Sequence, residues 1–249
     1  MKRIVIVGAS SGLGNAIARA YASRGWHVGV AARRREPLDS LAAEFPGQIE
    51  TAVTDITHTD APSRLEDLIE RLGGMDIYLQ AAGTGKQNPG LEADIERTTL
   101  MTNCVGFAAM TDVAFNYFRA HPEIHGHIAA ITSVAGTKGL GMAASYSASK
   151  RFGSTYLTAL EQLAHIEGMK LSITDIRPGF IATDLLNPAN HYPMLMTVEH
   201  AVPLIVKAID RRRRVAIVDS RWRWLVAAWK LIPRRLWVRL KATTRKEQP

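Results

Sequence analysis

The sequence predicts an α/β fold of the doubly wound type, a parallel sheet of about seven strands with helices on both faces. Three observations predict it. Short strand-like runs alternate with segments of helical periodicity from the start of the chain to about residue 219. The opening run, RIVIV, is almost wholly β-branched, as a strand buried on both faces would be. That run ends at a glycine-rich turn, GASSGLG, which leads into the first helix.

In chain order, residues 3–7 form the first strand, and Ala16, Ile17, Ala20 and Tyr21 recur at helical spacing until Gly25. Residues 27–32 (HVGVAA) read as the second strand and 36–44 as a helix. Strands at 49–54 and 75–80 flank a helix at 61–72. A long helix is predicted over 92–119, a strand at 127–132, a helix at 145–167 and a strand at 171–176. A loop near 183–197 leads to a helix at 199–209 and a last strand at 215–219. With no repeat or linker before residue 220, the chain divides into one domain over 1–219 and a basic tail over 220–249. In such sheets ligands sit beyond the carboxyl ends of the strands.

Composition narrows the class. Cys104 is the single cysteine, which excludes an internal disulfide and fits a reducing, cytoplasmic compartment. The apolar run at Ile4–Val7 is too short for a secretory signal, and no stretch approaches the roughly 18 apolar residues that span a bilayer. The net charge of +8 is unevenly placed: 14 of the 31 Lys/Arg lie from Lys207 onward, against 3 of the 23 Asp/Glu. The rest is close to neutral, so nothing in the body asks for nucleic acid.

GASSGLG sets Gly8, Ser10, Ser11, Gly12, Leu13 and Gly14 between the first strand and the first helix. Glycines there allow close backbone approach, and the helix start offers unpaired N–H groups to a pyrophosphate. About 24 residues past Gly8, a dinucleotide site selecting a free ribose 2′-hydroxyl would carry an acid. This chain has Ala31-Ala32-Arg33-Arg34-Arg35, and guanidinium groups suit a 2′-phosphate, which points to NADP(H). The ordinary alternative is a solvated, basic helix start.

SYSASK holds Tyr146 and Lys150 four residues apart, on one helix face. A lysine ammonium stabilises a phenolate and so makes a tyrosine usable as an acid–base group. Ser133 follows the strand HIAAIT, where its hydroxyl could hold a carbonyl oxygen. Singly these read as a buried tyrosine, a surface lysine and a turn serine; after a dinucleotide cradle they read as a site.

With GASSGLG, ARR, TDI, AAG, NCVG, ITSVAG, YSASK and RPGFIAT in this order, the chain resembles the short-chain dehydrogenase/reductase family to about residue 219. The resemblance implies a Rossmann fold and a nicotinamide oxidoreductase with Tyr146 as general acid. Lys150 would lower the Tyr146 pKa and bind the nicotinamide ribose, Ser133 would orient the carbonyl, and Asn103 would complete a proton relay through water. Asp55 with Ile56 would meet the adenine, and Ala82 with Gly83 the adenosine ribose. Ile181 and Thr183, after Pro178-Gly179, would contact the carboxamide and phosphates. It also implies a homodimer through the helices near 92–119 and 145–167. The chain departs from the family where Gln80 stands for an asparagine that ties neighbouring strands.

Two features are not assigned chemistry. His121, His125 and His127 lie in a connection away from the site, so no metal is expected. Cys104 reads as a small buried residue rather than a nucleophile.

Residues 185–196, LLNPANHYPMLM, are apolar and carry no Lys or Arg to clamp an acid, which favours a bulky lipophilic ketone. A 3-ketosphinganine-type ketone is the first specific candidate and a hydroxysteroid the second, by analogy with the lipid- and steroid-directed branch of the family. The tail, RWRWLVAAWKLIPRRLWVRL (221–240), should form amphipathic helices at 221–231 and 234–241, broken by Pro233. Trp222, Leu225, Trp229 and Ile232 form its apolar stripe. It suits peripheral contact with an anionic membrane, at the inner surface, or packing on the substrate loop or a partner subunit; no docking motif supports nucleic acid. A second functional class remains open: a non-catalytic NADP(H) sensor recruited through this tail.

Overall fold

The computed structural model of the chain describes residues 2–187 and 190–240. β1 (Arg3–Val7) sends its side chains alternately into two cores: Ile4 and Ile6 into one, Val5 and Val7 into the other, all at most 1% exposed. Burial on both sides is why this run has no alternating polar positions. β2 (His27–Ala32), β3 (Ile49–Val53), β4 (Ile77–Gln80), β5 (Gly126–Ile131), β6 (Leu171–Arg177) and β7 (Val215–Ile217) complete the sheet. Their order is β3-β2-β1-β4-β5-β6-β7, with every pair parallel. The winding reverses between β1 and β4, and such a reversal opens a crevice at the carboxyl edge.

One face is covered by α1 (Gly12–Ala22), α2 (Arg35–Glu44), α7 (Val198–Asp210) and α8 (Ser220–Leu231), whose Ile17, Leu41, Ile205 and Trp222 share a core. The other face carries α3 (Ala61–Arg71), α5 (Phe107–Ala120) and α6 (Ala144–Ile166), with Leu65, Phe115 and Leu157 inside. Side-chain caps fix two helix starts: the Thr197 hydroxyl accepts from the His200 N–H, and the Asp219 carboxylate from the Arg221 N–H. The seven strands stand close to the predicted positions, and the doubly wound Rossmann architecture is as the sequence predicts.

The predicted helix over 92–119 is not uniform. α4 (Ala93–Leu100) passes into a π-helical segment, Met101–Gly106, before α5 begins. Gly106 makes room for the widened turn: a Cβ there would lie 2.6 Å from the Ile56 carbonyl oxygen. Such insertions concentrate at functional sites.

The tail forms α8 and a single short turn, α9 (Arg234–Trp237); the predicted end at 241 lies outside the described residues. Of the predicted stripe, Trp222, Leu225 and Trp229 pack on the body, joined there by Val226. Trp222 is 1% exposed and meets the Phe180 ring edge-on at 5.6 Å. Trp229 and Trp237 continue a chain of edge-on ring contacts. The tail is also tied to the loop after β5: Lys138 Nζ donates to the Ile232 carbonyl at 2.7 Å, and Trp237 Nε1 donates to the Gly139 carbonyl at 2.8 Å.

Candidate active site

The turn after β1 is a cradle with no room for side chains. Gly8 holds φ at 97°, and a Cβ on it would lie 2.3 Å from the Ala82 backbone nitrogen. On Gly14 a Cβ would lie 2.1 Å from the Gly8 carbonyl oxygen. A Cβ on Gly12 would lie 3.3 Å from the Thr183 methyl, so the segment after β6 comes over the cradle. Ser11 stands at the N-cap of α1 but its side chain caps nothing, so the first N–H groups of the helix are open to a ligand. Leu13 turns inward against the core.

The arginines diverge. Arg34 Nη2 donates to the Ser10 and Ser11 hydroxyls at 3.2 and 2.9 Å, spanning from the end of β2 to the cradle. Arg33 lies toward Asp55. Partial burial raises the Asp55 pKa, but hydrogen bonds from the Thr57 N–H and hydroxyl outweigh that and, with the Arg33 charge, hold it below the usual value. A glycine cradle and an uncapped helix start fit the pyrophosphate of a dinucleotide.

The predicted catalytic residues converge beside this cradle. Ser133 leaves β5 as the N-cap of a 3₁₀ turn, Val134–Thr137, and its Oγ accepts from the Ala135 N–H at 3.1 Å. Tyr146, in the first turn of α6, hydrogen-bonds to Ser133; burial pushes its pKa up and the serine pulls it back. Lys150, one turn later, has its Nζ 5.7 Å from the Tyr146 ring centroid and donates to the Ile131 carbonyl at 3.1 Å. Burial lowers its pKa to about 8, against the pull of Asp175 and Cys104. Asp175 is itself buried, accepting from the Thr132 hydroxyl and pairing with Arg177 at 2.6 Å.

Asn103, in the π segment, is held on both sides of its amide. Its Oδ1 accepts from the Thr84 N–H at 2.9 Å, and its Nδ2 donates to the Thr84 carbonyl and to Ser149 Oγ. The segment after β4 is thereby pinned to α6. Ala82 lies on Gly8, but Gly83 lies by the catalytic groups: a Cβ there would be 3.2 Å from Lys150 Nζ and 3.3 Å from Asn103 Oδ1. Gln80 accepts from the Tyr78 hydroxyl at 2.5 Å, a bond within its own strand rather than to a neighbouring one.

Pro178 supplies a carbonyl to the Val134 N–H at 3.0 Å, joining the loops that follow β5 and β6. Ile181 forms a bridge with Met196. Ile56 is buried against the π segment. The three histidines have separate partners: His121 stacks on Tyr117, His125 contacts Ser172, and His127 meets Thr174.

Two residues escaped the sequence reading. A Cβ on Gly85 would lie 2.1 Å from the Tyr146 ring, so this glycine lets the loop close on the tyrosine; a second glycine two residues after Gly83 was its only signal. Trp222 fills the space beside Gly179, where a Cβ would come within 2.0 Å of the indole. No local pattern marks that contact.

Comparison with known proteins gives the family. Residues 2–193 match the short chain dehydrogenase family. A relative from Myxococcus xanthus, described as an uncharacterized oxidoreductase, is 34% identical over 215 residues, covering 83% of each chain. A farnesol dehydrogenase from Aedes aegypti is 29% identical over 195 residues, covering 74% of this chain and 79% of that one. A crystal structure of a short-chain type dehydrogenase/reductase from Mycobacterium marinum superimposes with a TM-score of 0.78 at 22% identity, over 89% of this chain and 95% of that one, which shows the shared fold. The chain belongs to the short-chain dehydrogenase family and is an oxidoreductase of the kind that uses a nicotinamide cofactor.

Proposed function

We propose that the protein is an NADP(H)-dependent carbonyl reductase and alcohol dehydrogenase acting on a bulky lipophilic ketone or its alcohol. The observation that carries this reading is the convergence of Ser133, Tyr146 and Lys150 beside the glycine cradle. Gly8 to Gly14 would hold the pyrophosphate, Arg33 and Arg34 the 2′-phosphate, and Asp55 with Ile56 the adenine. Pro178, Gly179, Ile181 and Thr183 would line the nicotinamide end. The bound nicotinamide supplies or accepts the hydride. The Ser133 hydroxyl holds the substrate oxygen and Tyr146 gives it the phenolic proton, or takes that proton in the reverse direction. The Lys150 ammonium stabilises the phenolate, and Asn103 keeps the wall that faces Lys150 in position.

Leu185 and Leu195 stand 42% and 47% exposed on the segment between Thr183 and α7, and that segment carries no Lys or Arg. Both favour an apolar substrate, and the Aedes aegypti relative is named for an apolar alcohol. NADPH oxidation with small ketones, farnesal, hydroxysteroid ketones and 3-ketosphinganine tests the assignment. Turnover confined to small polar ketones would remove the lipophilic part of it.

The arginine reading has its own test. Hydrogen bonds to a charged group contribute about 1.5–3 kcal/mol, so Arg34→Ala should lower kcat/KM for NADPH roughly 10- to 100-fold. NADH turnover should stay as it was; an unchanged ratio of the two would reject Arg34 as the selecting group.

The pH dependence follows from the buried lysine. Lys150 is depressed to about 8 and Tyr146 is raised, so on raising the pH the ammonium is the first of the pair to lose its proton. Reduction needs that ammonium and a protonated phenol. The kcat/KM for NADPH, which reports the free enzyme, should fall as pH rises through about 8. A rise through that range would contradict the assignment.

A further inference from the structure

α8 carries two apolar stripes, not one. The inner stripe, Trp222, Leu225, Val226 and Trp229, is packed on the body. The outer stripe is Trp224, Ala227, Ala228 and Leu231, again at intervals of three and four. At about 100° per residue the two stripes are centred on nearly opposite sides of the helix. Trp224 is 77% exposed and Leu231 83%. Beyond Pro233 the exposed apolar surface continues with Leu236, Val238 and Leu240.

This surface is set among cations. Arg223, Lys230, Arg234, Arg235 and Arg239 make no ion pair among the described residues, whereas Arg221 is engaged by Asp219. We infer that the outer face of α8 and α9 docks on a membrane surface bearing anionic lipid headgroups. A tryptophan and leucines between unpaired arginines match the boundary of acyl chains and phosphates, the apolar groups entering and the cations meeting the headgroups. No helix among the described residues is long and apolar enough to cross a membrane, so the segment lies along the surface. A second copy of this chain is a poor occupant, because a two-fold contact would set the same five cations against their own copies.

The docking goes beyond the proposed reaction and is measurable without a substrate. Its geometry also bears on the site. The inner face of the same segment holds Gly179 through Trp222, and holds the loop after Ser133 through Ile232 and Trp237. A membrane under the outer face is therefore about one helix diameter, roughly 10 Å, from the two loops that flank Ser133 and Tyr146.

The test is cosedimentation of the full chain with vesicles of phosphatidylcholine alone and of phosphatidylcholine with phosphatidylglycerol, at low and high salt. Binding to the anionic vesicles alone, weakened by salt, is the expected result. Trp224→Glu/Leu231→Glu should weaken it roughly 10- to 100-fold while NADPH binding and Tm are unchanged. Should that variant not fold, brominated lipid gives an independent readout: it should quench tryptophan fluorescence in the wild type, and Trp224→Phe should remove most of that quenching. No binding to anionic vesicles, or equal binding by the double variant, overturns the inference. So does a dimer that the double variant dissolves in the absence of vesicle binding, or binding to duplex DNA in preference to lipid.

Discussion

Tyr146→Phe is expected to lower kcat by two to four orders of magnitude, the range over which a positioned proton donor contributes. The phenyl ring keeps the contact with the Gly85 loop and the position beside Lys150, because those involve the ring and not the hydroxyl. NADPH affinity should therefore change little. Single-turnover kinetics separate the two quantities: loss of the chemical step with an unaltered binding phase is the predicted signature. A variant that reduces ketone at the wild-type rate would show that the proton comes from elsewhere. A variant that loses NADPH binding would show that the hydroxyl is part of the cofactor site instead.

The second large effect lies in the tail. Trp222→Ala removes a fully buried side chain from a site closed by Phe180, Trp229 and the Gly179 backbone. Substitutions of this size cost about 3–5 kcal/mol, which for a chain of this length lowers Tm by roughly 6–20 °C. Trp222→Phe should cost far less. Among the described residues the buried indole Nε1 has no hydrogen-bond partner, so the phenyl ring keeps much of the packing and discards an unsatisfied donor. Trp224→Ala, on the exposed side of the same helix, should stay within about 0.5 kcal/mol. Denaturant unfolding of the three variants orders them, and equal losses at 222 and 224 would contradict the buried assignment. Because Gly179 rests on the indole, Trp222→Ala should also raise the KM for NADPH.

The sheet was legible because its inner strands are buried on both sides and the strands alternate with helices of clear periodicity. RIVIV shows this plainly: after Arg3 the run is wholly β-branched and apolar, as a central parallel strand requires. The grouping of Ser133, Tyr146 and Lys150 was legible because one helical turn separates the last two and a strand end delivers the first. The π segment was not. Met101–Gly106 has no composition that separates it from an α-helix; contacts from Ile56, Thr84 and Ser149, distant in sequence, select the wider turn. The direction of the tail was not legible either. A helix apolar on two sides presents two candidate inner faces, and the choice is made by the space beside Gly179, which no residue of the tail records.

The cradle and the arginines differ in how they can change over generations. At Gly8 and Gly14 the obstructing atoms are backbone, 2.3 and 2.1 Å from where a methyl would begin, so no substitution in a neighbouring side chain relieves the clash. Drift at these positions is closed in both one step and two. Arg33 and Arg34 are exposed and bear on the fold through few contacts, so they are free to be exchanged singly. On the proposed reading of these arginines, the grip on the dinucleotide is therefore frozen within one lineage of this scaffold, while the choice between its two phosphorylation states stays open to selection.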